Sequence, residues 1–515
     1  MSNIQIGVSQ LAKTGSKAQL EIIRQWLEHC DKNHSECCPA ALSTSGFSIP
    51  TRLVDVGEPQ CPSIKLVKTK PGDQMRYIAL SHQWGKLKHF CTTMQNIEHH
   101  RDKINMHELP STFRDAVNVT RGLGIRYIWI DSICIIQGAD GDFHQEAPKM
   151  EGVFSSAYVV LAASSSDGQN DGFLKERGSR QCIRILHENM PDFYIGHFID
   201  DFTKDVIDSP LNKRGWVLQE RALARRTIYF THTQTYWECG QGVHCETFRK
   251  MHNELSSFIG DPNFPMVALK STRGARIRLF QNLYRQYSRL DFTRDYDRPL
   301  AIAGLEKRLI QAFNTSGGFG IFDDGRGLLR RSLLWYRSSI DTPLKLIQFP
   351  NDWKLKVPSW SWMAYQGGIE YLELPFQGVD WLLEEMTPPW CTSETTSTWR
   401  TGDEEEVPEL HAVARSFDLG RMGRSTRGEA HAIYDRPVGG TKPNSSHNSV
   451  KCVVMGRLRD PAQIERNRRH YVLLVREGIS GGQRQRRPVW ERVGVGYLPG
   501  GWISLNDDGM DVVVR

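Results

Sequence analysis

The chain is 515 residues long, 39% hydrophobic and 24% charged, with a formal net charge of +6 at pH 7. These proportions exclude a disordered or fibrous polypeptide, and at about 100–200 residues per domain the length implies about three folded units. So mild a positive balance gives no indication of nucleic acid as a partner.

The first residues lack the uninterrupted apolar stretch of a secretory signal, and nowhere do about 18 apolar residues run together, so neither secretion nor a membrane span is expected. The 11 cysteines are scattered through a large chain and read as reduced thiols. The expected location is intracellular, in the cytoplasm.

In chain order, a helix is expected from about Gln19 to Cys30, where Leu20, Ile23, Trp26 and Leu27 recur at helical spacing. Cys30, His34, Cys37 and Cys38 follow within nine residues, the ligand types and spacing that a zinc ion uses. A second ligand pair is missing nearby, where only Cys61 stands, so the expectation is no metal and a packed helix end of small buried thiols. Cys239, His244 and Cys245 make a weaker set still.

Three apolar runs come next, Tyr77 to Leu80, Tyr127 to Ile130 and Tyr158 to Ala162, and each ends in a polar cluster. Continuously apolar runs suit parallel strands buried on both faces, and in such sheets ligands sit outside the carboxyl ends. Ser81, His82, Asp131, Ser132 and Ser164 are therefore expected on one rim. Between the first two runs, Thr112 and Asp115 suggest a capping box for a helix with Phe113, Ala116, Val117 and Thr120 on one side, ended by Gly122 or Gly124. A third helix carries Met150, Val153, Phe154 and Ala157, and Pro148 restricts its start to about Gln145 or later.

Thr227 to His232 and Thr235 to Cys239 read as strands joined by a tight turn, and helical periodicity dominates from Asn253 to Arg337. Asp403 to Glu406 and Gly420 to Ser449 read as exposed linkers, and Arg484, Arg486 and Arg487 as a solvated hairpin loop. Lys451 to Leu458, His470 to Glu477 and Glu491 to Leu498 resemble strands. The expected class is α/β: an open, mostly parallel sheet flanked by helices, followed by a helical unit and a small β-rich unit. The expected divisions are a helical lead-in over 1–64, the α/β domain over 65–240, a mainly helical region over 241–395, and a linker-containing β-rich region over 396–515.

Asp131, at a strand's carboxyl end, suits hydrogen bonds from a ribose, a loop amide or an arginine, or an anchoring role for the loop at Ser81 to Gly85. Trp84 suits either stacking on a base or capping the core. Arg214 precedes Trp216 to Arg221, a segment that can open a helix toward an anion; the alternative is an ion pair with Asp131 or Glu146. There is no Walker A or G-x-G-x-x-G pattern and no G-x-S-x-G elbow around Ser81, so phosphate-loop and serine-hydrolase chemistry are not expected. Cys134 lies among isoleucines and reads as a core thiol rather than a nucleophile, and Trp129 and Trp216 read as structural.

The blocks Tyr77 to Gly85, Leu109 to Gln137, His144 to Ser164 and Leu211 to Phe230, in this order and spacing, resemble the fungal heterokaryon-incompatibility (HET) domain proteins. Weaker similarity continues at Thr293 to Leu305 and Val357 to Gly368. The resemblance implies a role in fungal non-self recognition, with the HET region acting as an effector of growth arrest or programmed cell death through protein partners and self-association. It also implies a distant TIR-like relation, under which NAD would be a substrate and Glu146 the catalytic acid. Pro148 departs from the family pattern, in which the residue matched by Glu146 lies in an unbroken helix. An accessory protein of a fungal biosynthetic gene cluster is the remaining alternative.

Overall fold

The three apolar runs form the centre of a ten-stranded sheet. In chain order its strands are β1 (Arg52–Asp55), β2 (Ser63–Lys68), β3 (Tyr77–Ser81), β4 (Ile104–Asn105), β5 (Tyr127–Trp129), β6 (Val159–Ala162), β7 (Arg226–Phe230), β8 (Thr235–Cys239), β9 (Gly242–Cys245) and β10 (Lys250–Met251). They lie in the order β10-β9-β8-β7-β6-β3-β5-β1-β2-β4. A computed structural model of the protein describes residues 8–37, 49–86, 89–178, 180–186, 193–251, 261, 264–339, 341–351, 353, 355–392, 407–418, 430–436, 450–478 and 488–515. The chain divides into two units, Met1–Lys270 with Leu300–Leu305, and Ser271–Pro299 with Glu306–Arg515.

Strand β3 pairs in parallel with β5 and β6, and β6 pairs in parallel with β7. The remaining pairings of this sheet are antiparallel, so the expected mostly parallel sheet is corrected to a mixed one. The reason is connection length: the two residues Gly240 and Gln241 between β8 and β9 can only return the chain antiparallel, whereas parallel neighbours need a crossover. The segment before Lys65 also contributes β1 to this sheet, beside its helix. Registers of Ala79 with Trp129 and Ser81 with Ala162 bring the carboxyl ends of β3, β5 and β6 to one edge.

The helices that position the site are α1 (Lys17–Asn33), α2 (Ser111–Gly122), α3 (Asp131–Cys134), α4 (Phe143–Glu146), α5 (Met150–Ser156) and α6 (Gly215–Leu223). The buried stripe of α1 is Gln19, Ile23, Leu27 and Cys30, and Ser16 caps it by accepting from the Gln19 amide. The capping box at α2 is not formed. Thr112 Oγ1 instead donates to the Gly168 carbonyl at 2.7 Å, and Asp115 Oδ2 accepts from the amides of Phe173 and Leu174 at 2.8 and 3.0 Å. Both polar side chains thus hold the loop after β6. The helix expected from about Gln145 is also corrected: it begins at Phe143, gives way to a 3₁₀ turn at Ala147–Lys149 around Pro148, and resumes at Met150. Proline cannot donate the amide that a continuous helix requires there.

The second unit holds helices Arg273–Ser288 and Leu328–Leu333 and most of Arg298–Phe313. From Trp335 to Thr387 short strands and turns replace helix, so helix dominates only the earlier part of residues 241–395. Lys451–Leu458, Arg469–Glu477 and Val489–Pro499 pair antiparallel within an eight-stranded sheet. His431–Tyr434 pairs with Val489–Pro499, which corrects part of the expected linker to a strand. Residues 420–429 and 437–449, Asp403 to Glu406, Arg484, Arg486 and Arg487 lie outside the described residues, as does Cys38. No helix of the described residues is long and apolar enough to cross a membrane.

Candidate functional site

The carboxyl ends of β3, β5 and β6 meet the start of α6 in a cluster of polar side chains. Asp131, the first residue of α3, accepts from Trp84 Nε1 at 2.7 Å and from the Ser132 amide at 2.6 Å. His82 Nδ1 approaches Asp131 Oδ1, the oxygen that accepts from the Ser132 amide, at 3.8 Å. Arg214, at the N-cap of α6, donates from Nη1 to the His82 carbonyl at 2.8 Å. Asp131 and Arg214 therefore grip the loop after β3 from two sides. Among the described residues no ion pair joins Arg214 to Asp131 or Glu146.

The sixth member is Glu220, whose carboxylate accepts from the Ser81 hydroxyl. Burial pushes the Glu220 carboxyl up to about 7; the Ser81 hydrogen bond pulls down, Asp131 pushes up and Arg214 pulls down. Burial lowers His82 to about 4, opposed by Asp131 and reinforced by Arg214 and His89. The ring is thus neutral near pH 7, and its approach to Asp131 is that of an imidazole to a carboxylate rather than an ion pair. A carboxyl titrating near neutrality can release or take up a proton under cellular conditions, which an ordinary glutamate does poorly.

Three buried polar atoms at the strand ends, His82 Nε2, Ser132 Oγ and Ser164 Oγ, have no hydrogen-bond partner among the described residues. Such atoms are rare in folded proteins and mark places where water or a ligand can bond. Trp84 is half-buried, with its ring edge-on to His89 at 5.2 Å.

Glu146 stands apart from this bonding network. It ends α4, is buried, and pairs with Lys149 Nζ at 2.8 Å and the Thr51 hydroxyl at 2.9 Å. Cys134 is buried, and desolvation raises its thiol to about 12, which suits packing and not nucleophilic attack.

Sequence reasoning missed Glu220 as a site residue, although its block was in view. The available signal was a charge in step with Val217 at i, i+3 on a helix whose other buried positions are mostly uncharged. Its neighbour Arg221 turns elsewhere, pairing with buried Glu238 at 3.1 Å, which also accepts from Tyr229 Oη at 2.6 Å.

A second cluster lies across the sheet's antiparallel flank. Cys30, His34 and Cys37 were the metal candidates in sequence, and the structure adds Cys239 to them, with the four ligand atoms all within 4.8 Å of one another. Cys61 lies elsewhere, beside Ser63.

No curated protein matches the chain, and no solved structure does. Ser81, His82, Trp84, Asp131, Arg214 and Glu220 all fall within residues 77–220, the segment matched by the family model described as heterokaryon incompatibility protein (HET), and the chain thus carries a HET domain.

Proposed function

We infer that this protein acts in heterokaryon incompatibility as a HET-domain effector, one whose activation arrests growth or kills the cell that contains it. The observation that carries this reading is the concentration of the polar cluster inside the matched segment. Ser81, Asp131, Arg214 and Glu220 come from separate stretches of sequence, yet bonds and charge effects tie them to one edge. A scaffold that needed only stability would gain little from burying a carboxyl group there, since burial without a counter-charge is costly. Expression of the full chain in a fungal host, at a verified level, tests the reading: growth arrest is expected, and normal growth contradicts it.

One observation favours a specific chemistry for the effector. Glu220, with a pKa near 7 beside a hydroxyl, has the character of a general base or acid at the carboxyl ends of the parallel strands. TIR-like cleavage of NAD would break the bond between nicotinamide and ribose and add water to the ribose carbon. In that reaction Glu220, rather than Glu146, is the better placed acid or base. Consumption of NAD by the purified chain would support this, and an unchanged NAD pool leaves a non-catalytic, self-associating effector.

A further inference from the structure

We propose that Cys30, His34, Cys37 and Cys239 bind one zinc ion, which fastens the end of α1 to the hairpin of β8 and β9. Three of the ligands come from one short stretch. Cys30 and His34 stand four residues apart at the end of α1, so they share one helix face. Cys37 is brought back to them by the turn Ser35–Cys37, whose amides bond in sequence, His34 N–H to the Cys30 carbonyl at 2.9 Å and Cys37 N–H to the His34 carbonyl at 3.0 Å. The fourth ligand, Cys239, is the last residue of β8 and lies 205 residues beyond His34.

One ligand distance matches the metal directly. His34 Nδ1 and Cys239 Sγ are 3.6 Å apart. A tetrahedral zinc with Zn–S of about 2.3 Å and Zn–N of about 2.0–2.1 Å has an N···S edge of about 3.6 Å. The surroundings fit as well. The two-residue turn Gly240 and Gln241 follows Cys239 directly and sets its backbone beside the sulfurs of Cys37 and Cys239. The three cysteines are buried and His34 is half-buried.

Two plainer accounts leave something over. Apolar packing explains three buried thiols but not an imidazole turned toward them. A disulfide consumes two sulfurs and leaves the third sulfur and the imidazole without a reason to converge. A set of three thiolates and one imidazole selects zinc over the oxygen-preferring magnesium and calcium. Four protein ligands fill the tetrahedron, which makes the ion structural rather than catalytic.

The ligands flank the HET segment on both sides, three before residue 77 and one after residue 220. Beside them, Asp31 bonds Arg226 at 2.5 Å and accepts from Tyr158 Oη at 2.7 Å, so the end of α1 already rests on the starts of β6 and β7. The ion would add a second fastening one strand further out, at Cys239, which pairs directly with Arg226.

The test is elemental analysis of the purified full chain, expressed in zinc-supplemented cells and desalted. About one zinc per chain is expected, with a loss of about tenfold or more in the Cys239→Ser variant and no loss in Cys182→Ser, whose thiol lies outside the cluster. Should Cys239→Ser fail to fold, wild-type protein is treated with chelator instead: melting temperature is expected to fall, and to recover when zinc is returned. Replacement by cobalt(II) is expected to give the intense visible bands of a tetrahedral thiolate site. A zinc-free wild type whose melting curve ignores added zinc overturns the proposal, as does full zinc retention in Cys239→Ser or a disulfide among Cys30, Cys37 and Cys239 found by mass spectrometry.

Discussion

Ser81 and Glu220 are 139 residues apart in sequence and meet at the carboxyl edge of the sheet, where the serine hydroxyl donates to the glutamate. The bond ties the end of β3 to α6, the first and last parts of the HET segment. It leaves a carboxyl group buried and poised near neutral pH.

That poise has a signature in stability. An unfolded glutamate titrates near 4.5 and Glu220 near 7, so between these values the folded state holds a proton that the unfolded chain has released. Its contribution is full below pH 4.5 and is lost as pH rises to 7, a change of roughly 3 kcal/mol at 1.36 kcal/mol per unit. His82 has the opposite sign: lowered from 6.5 to about 4, it contributes fully above 6.5 and loses that contribution as pH falls toward 4. The two slopes offset each other over much of the acid range. Glu220→Gln removes the glutamate's downward slope, so between pH 4.5 and 7 the variant's stability should rise with pH more steeply than that of wild type. Denaturant unfolding at several pH values checks this, and a stability difference independent of pH would speak against the buried carboxyl.

The two tryptophans expected to be structural should separate. Trp129 is 3% exposed and packs edge-on to Phe154 at 5.6 Å, whereas Trp216 is only half-buried, against Phe143 at 6.1 Å. Trp129→Ala should cost about 3–5 kcal/mol and Trp216→Ala about 1–2 kcal/mol. Equal losses in unfolding measurements would show that burial does not rank them.

Arg221, the neighbour of Glu220 on α6, forms a buried pair with Glu238 of β8. Glu238→Gln leaves the guanidinium without its counter-charge and should destabilise by about 3–5 kcal/mol. Replacing both partners with apolar residues of similar volume should cost much less, and a double-mutant cycle measures the difference.

The centre of the sheet was legible because parallel strands buried on both faces leave continuous apolar runs, as at Ile78 to Leu80 and Val159 to Ala162. Strand β1 left no such trace. Its four residues begin with Arg52 and end with Asp55, and both charges are buried by pairing with Asp142 and Arg126, partners that no local pattern reveals. The site divides in the same way. Ser81, Asp131 and Arg214 stand at strand ends and a helix start, positions that sequence can locate, while Glu220 becomes a site residue only when α6 is laid against β3. Cys239 joins Cys30, His34 and Cys37 by a long-range pairing of the same kind.

Glu146 and Glu220 give the account its sharpest test. Glu146 is tied to a half-exposed lysine and a threonine, and Glu220 to the polar edge itself. The measurement is growth of a fungal host expressing wild type, Glu146→Gln or Glu220→Gln at matched levels, with folding verified by melting curves. Arrest by wild type and by Glu146→Gln, together with normal growth under folded Glu220→Gln, is the predicted result. Full arrest by Glu220→Gln, or its loss in Glu146→Gln alone, would contradict the placement of function at the Ser81 and Glu220 edge.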